Sequence, residues 1–122
     1  MSPSVRNIIA WILQVLIALA FINAGFQKLS HAPETVTMFM GLGLPRWSAY
    51  LVGAAELLGG LGLLWPRTVR LAAAGLIVIM LGAIVLHATK IPGGIGGGAF
   101  AIALLVGLLV ILALRWPARR LA

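Results

Sequence analysis

The chain has no cysteine, which excludes disulfides, thiolate metal ligands, iron–sulfur clusters and covalently attached c-type haem. Acidic residues are almost as scarce. Glu34 and Glu56 are the only two, set against nine lysines and arginines, so the formal net charge is +7. Only two histidines occur, His31 and His87. A bis-histidine haem between them lacks any second supporting feature, and His31 with Glu34 reads as a solvated loop pair, so no metal site is expected. The basic residues are scattered at the ends of apolar runs. They form no basic face and no nucleic-acid motif, which argues against a nucleic-acid partner.

What the chain has in abundance is apolar side chain. Of 122 residues, 62% are hydrophobic and 9% charged, with a mean hydropathy of +1.14, more than a core of this size can hide from water. The solvent this composition implies is a lipid bilayer. Four apolar runs, residues 7–28, 49–65, 69–87 and 99–116, each approach the roughly 17–25 residues that span a hydrocarbon core as helix. The expected fold is therefore all-α: a single-domain integral membrane four-helix bundle. The first run follows Arg6 as in a signal peptide. Its apolar part exceeds a typical signal core and three more spans follow, so it is expected to stay.

Charge sets the orientation. Arg6, Arg67, Arg70, Arg115, Arg119 and Arg120 fall on one side and Lys28, Arg46 and Lys90 on the other, so a multi-pass protein of the bacterial inner membrane with both termini cytoplasmic is expected. Trp11, Trp65 and Trp116 lie at the same inner boundary, Trp47 and Tyr50 at the outer one. WPR, Trp65 to Arg67, reads as a tight turn whose proline cannot continue the second helix. KIPGGIGGGA, Lys90 to Ala99, reads as a flexible turn; no GK[ST] follows and no strand precedes it, so it is not a phosphate loop. In SHAPETVTMFMGLGLP, Ser30 to Pro45, helix-boundary signals and an apolar stripe of Val36, Phe39, Met40 and Leu42 predict a short amphipathic helix from Pro33 to Met40. An ordered loop is the alternative.

AAELLGGLG, Ala54 to Gly62, carries the one intramembrane acid. Counting about 1.5 Å per residue from Trp65 places Glu56 about 13 Å deep, near the bilayer centre. Gly53 and Gly60 share its helical face, so the carboxyl is flanked by positions without side chains, where another backbone can approach. Glu56 is thus expected to face the bundle interior. A lone charge there costs several kcal/mol, roughly, so the acid must be neutral or paired. Lys28, about 10 Å higher by rise, is within near reach through its long stem. Asn23 and Gln27, an i and i+4 pair, are candidate hydrogen-bond donors, and His87 ends the third span at the same boundary.

Each of these residues has a plainer reading. Lys28 and Lys90 can snorkel to headgroups, His87 can bond water or a carbonyl, Asn23 and Gln27 can join helices, and Glu56 can be a structural hydrogen-bonded acid. Gln14, an amide in the inner half, reads as helix packing.

FINAGFQKL (Phe21 to Leu29), GLGLP (Gly41 to Pro45), Glu56 followed by LLGGLGLL (Leu57 to Leu64), PRTVRLAAAGL (Pro66 to Leu76) and the histidine ending the third span together resemble the DoxX family of small four-helix bacterial membrane proteins. The resemblance runs from Phe21 to His87, with the fourth span matching in hydropathy only. It implies a link to quinone-dependent oxidoreductase and membrane redox-stress systems, and it carries over Gly25 and Lys28, Glu56, Arg70 and His87. Nothing like a cofactor box stands beside them, which argues against an independent oxidoreductase activity.

Three functions follow as expectations. The first is an accessory subunit whose pocket of Lys28, Glu56 and His87, with Asn23 and Gln27, binds a quinone or isoprenoid lipid and supports a redox-enzyme partner, with Gly25, Gly53, Gly60 and Arg70 in structural roles. The second is a scaffold or assembly factor, self-associating or partner-binding through the small residues Ala99, Ala103 and Gly107. The third is a proton-coupled transporter like the small multidrug exporters. The acid in the second span, the long first connection and the fixed orientation all weigh against it.

Overall fold

The computed structural model describes residues 2–90 and 99–115. All regular structure within them is helical: α1 (Pro3–Ser30), α2 (Ala32–Gly41), α3 (Arg46–Gly62), α4 (Val69–Thr89) and α5 (Ala99–Arg115). The glycine-rich connection from residue 91 to 98, Trp116, Arg119 and Arg120 lie outside the described residues.

Among the described residues the helix count is five, one more than the four apolar runs, because the segment between the first two runs is itself helical. α2 exceeds the predicted Pro33 to Met40 by one residue at each end. Its buried residues are Thr35, Val36 and Phe39, and Val36 and Phe39 pack with Leu44, just ahead of α3, and with Ala49 and Val52 of α3. Met40, expected on the apolar stripe, is exposed instead.

Hydropathy places the other ends less well than capping does. α1 starts ahead of its apolar run because the Ser2 hydroxyl accepts a hydrogen bond from the Val5 N–H at 3.2 Å and Pro3 occupies the first turn. α3 starts right after Pro45 and stops at Gly62, short of Trp65. The chain from Leu63 onward is spent in turns, where the Thr68 hydroxyl donates to the Gly62 carbonyl at 2.8 Å.

The four longer helices form a ring in the order α1, α3, α4, α5, and each runs antiparallel to its two neighbours. The longest seam joins α1 to α3. This puts Arg6, Arg70 and Arg115 at one end, hereafter the arginine end, and Lys28, Arg46 and Lys90 at the other, the lysine end. The core is filled by Phe21, Leu63, Leu76, Leu108 and Ile111, all fully enclosed.

The outer surface is also rich in apolar side chains. Ile8, Leu16, Leu19, Leu58, Leu71, Val78 and Phe100 are each more than half exposed, whereas Gln14 and Glu56 are buried. α1 and α4 are long and apolar enough to cross a membrane. α3 and α5, at 17 residues each, are shorter, about 26 Å at about 1.5 Å per residue.

One turn needs glycine. Gly43, between α2 and α3, has φ +86°, a conformation that strains any residue with a Cβ. Gly43→Ala is expected to cost about 1 kcal/mol, seen as a lowered unfolding temperature, while Gly41→Ala, with open space around it, leaves that temperature unchanged.

Candidate functional site

The site is built on the α1–α3 seam, and glycines make that seam close. A Cβ on Gly25 would sit 2.6 Å from both the Gly53 carbonyl oxygen and the Leu57 amide nitrogen, so α1 rests directly on the α3 backbone. Gly60 faces the Ala18 carbonyl and Ile22 in the same way. Gly53 lies under the stem of Lys28, whose Cβ would be 3.2 Å from an added methyl group. The bare surface at Gly53 is what lets the lysine stem lie flat across α3 and reach one turn further, to Glu56.

There the ammonium Nζ lies 2.8 Å from Glu56 Oε1. The carboxylate side chain is 5% exposed and the lysine 26%, so an almost enclosed acid is met by a partly solvated base. The approach is short, yet it does not meet the angles of a hydrogen bond, and Oε1 is otherwise buried without a partner. The contact is therefore a Coulombic pairing more than a directed bond, and among the described residues the carboxyl has no other donor. A buried acceptor left this way still has hydrogen-bonding capacity to offer.

Lys28 and Glu56 open onto a cavity of about 330 Å³ at the lysine end. Phe39 from α2, Val52 from α3 and Ile79 and Leu86 from α4 make its walls apolar. His87 joins from α4, half-buried, with Nδ1 2.9 Å from the Ala83 carbonyl. A carbonyl only accepts, so Nδ1 carries the proton and a neutral ring presents Nε2 as an acceptor. The cavity thus combines an ammonium, a carboxylate and an imidazole within apolar walls. Its volume is at the low end of small-molecule sites, which span about 300–1,000 Å³, and suits one ring rather than an extended molecule.

The remaining sequence candidates lie elsewhere. Asn23 and Gln27 do share a face of α1, but both are exposed and neither lines the cavity. Gly25 faces α3, and residues two positions away point about 200° around the helix from it. Arg70 is exposed at the arginine end. Of the small-residue stripe of α5, Gly107 is packed against Ile17 of α1, while Ala99 and Ala103 are exposed. His31 and Glu34 are exposed at the α1–α2 junction, with His31 Nδ1 directed at the Gln27 carbonyl, 3.1 Å away.

The arginine end holds a polar cluster that sequence reasoning passed over. Gln14, fully buried, donates from Nε2 to the Leu63 carbonyl at 2.7 Å and accepts from Arg115 Nε at 2.6 Å. Arg115 also donates to Asn7 Oδ1 at 2.9 Å and stacks over Trp11, 5.3 Å from the ring centroid. Gln14, read from the sequence as helix packing, joins α1 to α5 and to the end of α3 through these hydrogen bonds. The signal was there in α1: Asn7, Trp11 and Gln14 recur at helical spacing on one face.

Among known proteins, the family model described as DoxX matches residues 9–89. A Bacillus subtilis (strain 168) protein named "Putative oxidoreductase CatD" is 28% identical over 81 residues. That match covers 66% of this chain and 60% of the relative, so the chain spans less than two thirds of the relative's length. No solved structure matches significantly.

Proposed function

Because the chain belongs to the DoxX family, we propose that it is a multi-pass membrane protein whose lysine-end cavity binds the ring of a quinone or related isoprenoid lipid and serves a partner redox enzyme. The observation that carries this reading is the Lys28–Glu56 pair and His87 on one small apolar cavity. Quinone carbonyls call for hydrogen-bond donors, quinol hydroxyls for acceptors, and both for an apolar surround. Lys28 supplies the first, His87 Nε2 and Glu56 the second, and Phe39, Ile79 and Leu86 the third. A cavity fit for one ring leaves the isoprenoid tail outside, along the apolar flank.

Membrane placement is supported by the shell of exposed leucine, isoleucine, valine and phenylalanine around a core that encloses Gln14 and Glu56. The excess of arginine at one end favours a cytoplasmic placement of that end, and with it of both termini. The relative's name speaks of an oxidoreductase. With no cofactor box in this chain, an accessory role suits it better than independent catalysis.

Binding of a quinone analogue to the protein in nanodiscs tests this. Wild type is expected to bind, and Glu56→Ala to bind at least about tenfold more weakly, since it removes a charged partner from the cavity. No binding by wild type, or undiminished binding by the variant, defeats the reading.

A second reading has its own observation. The Lys28–Glu56 pair also ties α1 to α3 across the glycine seam, which is what a scaffold with a purely structural polar cluster requires. The two are separated by whether stability and ligand binding fail together.

A further inference from the structure

We propose that the arginine end holds the phosphodiester of an anionic phospholipid between α1, the start of α4 and α5. The site rests on the membrane placement above and is independent of the quinone cavity. A second cavity of about 310 Å³ lies there, lined by Asn7, Trp11, Gln14, Val69, Arg70 and Arg115.

The charge balance calls for an outside anion. The chain's only acidic side chains are Glu34 and Glu56, and Glu56 is held at the lysine end by Lys28, while Glu34 is on α2 at that same end. Arg70 and Arg115 therefore line one cavity with no carboxylate side chain to meet them. Arg6 adds a third positive charge beside them, donating to the Leu114 and Ala113 carbonyls of α5 at 2.9 and 2.8 Å.

The donors are also held in place. Gln14 and Asn7 take up Arg115 Nε–H and one N–H of Nη1, and Trp11 fixes the plane of the guanidinium. Of the five N–H groups of an arginine, three are left without a protein acceptor among the described residues. The Arg70 side chain makes no hydrogen bond among them. A planar fork on a rigid mount, with a second arginine lining the same cavity, is the arrangement that receives phosphate oxygens in pairs.

The surroundings favour a lipid over free phosphate. Ile8, Ile12 and Leu71, next in sequence to lining residues, are all exposed and offer an apolar track for acyl chains. Trp65 is exposed at the same end, and Trp11 is half-buried, amphipathic rings at the level of a headgroup.

Native mass spectrometry of the detergent-purified protein with phosphatidylglycerol or phosphatidylcholine tests the site. Wild type is expected to retain phosphatidylglycerol about tenfold better than phosphatidylcholine, and Arg70→Gln to lose that preference. Arg70 is the variant of choice because its side chain joins no helices, so the fold survives its loss. Arg46→Gln, at the lysine end, is expected to bind as wild type does. Equal retention of the two lipids by wild type, a preference untouched by Arg70→Gln, or displacement of the lipid by equimolar inorganic phosphate each overturns the proposal. Alkaline extraction of wild type from membranes separates the failures. A protein that washes off sinks the membrane placement and this site with it, whereas one that stays embedded and shows no lipid preference sinks this site alone.

Discussion

Lys28→Met is expected to lower the unfolding free energy by about 3 kcal/mol, and Lys28→Met combined with Glu56→Leu to recover most of that loss. Removing the lysine leaves the Glu56 carboxylate, 5% exposed, with no other donor among the described residues. The cost falls at the low end of the range for broken buried pairs because the lysine is 26% exposed and keeps part of its hydration. Replacing both partners with apolar residues of similar size removes the stranded charge altogether. Equilibrium unfolding of the single and double variants in one detergent measures both steps. A single-variant loss under about 1 kcal/mol would class the pair with surface ion pairs and remove its claim on the architecture. The double variant also separates the two functional readings. If it is stable but no longer binds a quinone analogue, the pair serves the ligand; if it is stable and binds as wild type does, the cavity reading fails.

Gly25→Ala is expected to be at least as damaging as that single lysine variant, with a loss of about 3 kcal/mol, although it adds only one methyl group. The methyl would meet the Gly53 carbonyl oxygen and the Leu57 amide nitrogen, both main-chain atoms of α3, and no rotamer change relieves such a clash. The helices must separate, and the reach from Lys28 to Glu56 lengthens with them. Gly75→Ala on α4, where nothing lies within 4 Å, is the control and is expected to gain about 0.5–1 kcal/mol through helix propensity. Thermal unfolding of the two variants side by side decides the matter, and equal effects would mean the seam is not tightly closed.

The parts of this molecule that were legible in the sequence are those governed by local pattern. Apolar runs announced the long helices, and proline with glutamate announced α2. On α3, the spacing of Gly53, Glu56 and Gly60 was enough to turn the acid inward, because a face of glycines admits only another backbone. α1 offered no such guide. It is apolar nearly all round, so the i, i+4 pairing of Asn23 and Gln27 revealed a shared face without revealing which way that face points; only the position of Gly25 against α3 settles it. Arg115 and Gln14 were harder still. They stand 101 residues apart, and no local periodicity predicts a bond across that separation. Helix ends shifted for a related reason: Ser2 and Thr68 act by capping and turn hydrogen bonds, which hydropathy does not register.

The two ends of the bundle are fastened unequally. At one, a single enclosed amide grips a neighbouring carbonyl and a guanidinium that is itself anchored to Asn7, so three parts of the chain are riveted together. At the other, α1 and α3 meet backbone to backbone at Gly25 and Gly53 and share one ion pair beside a void. Slack at that end therefore lies where the void is, among the side chains of α2, α3 and α4, and not along the glycine-closed line where α1 meets α3.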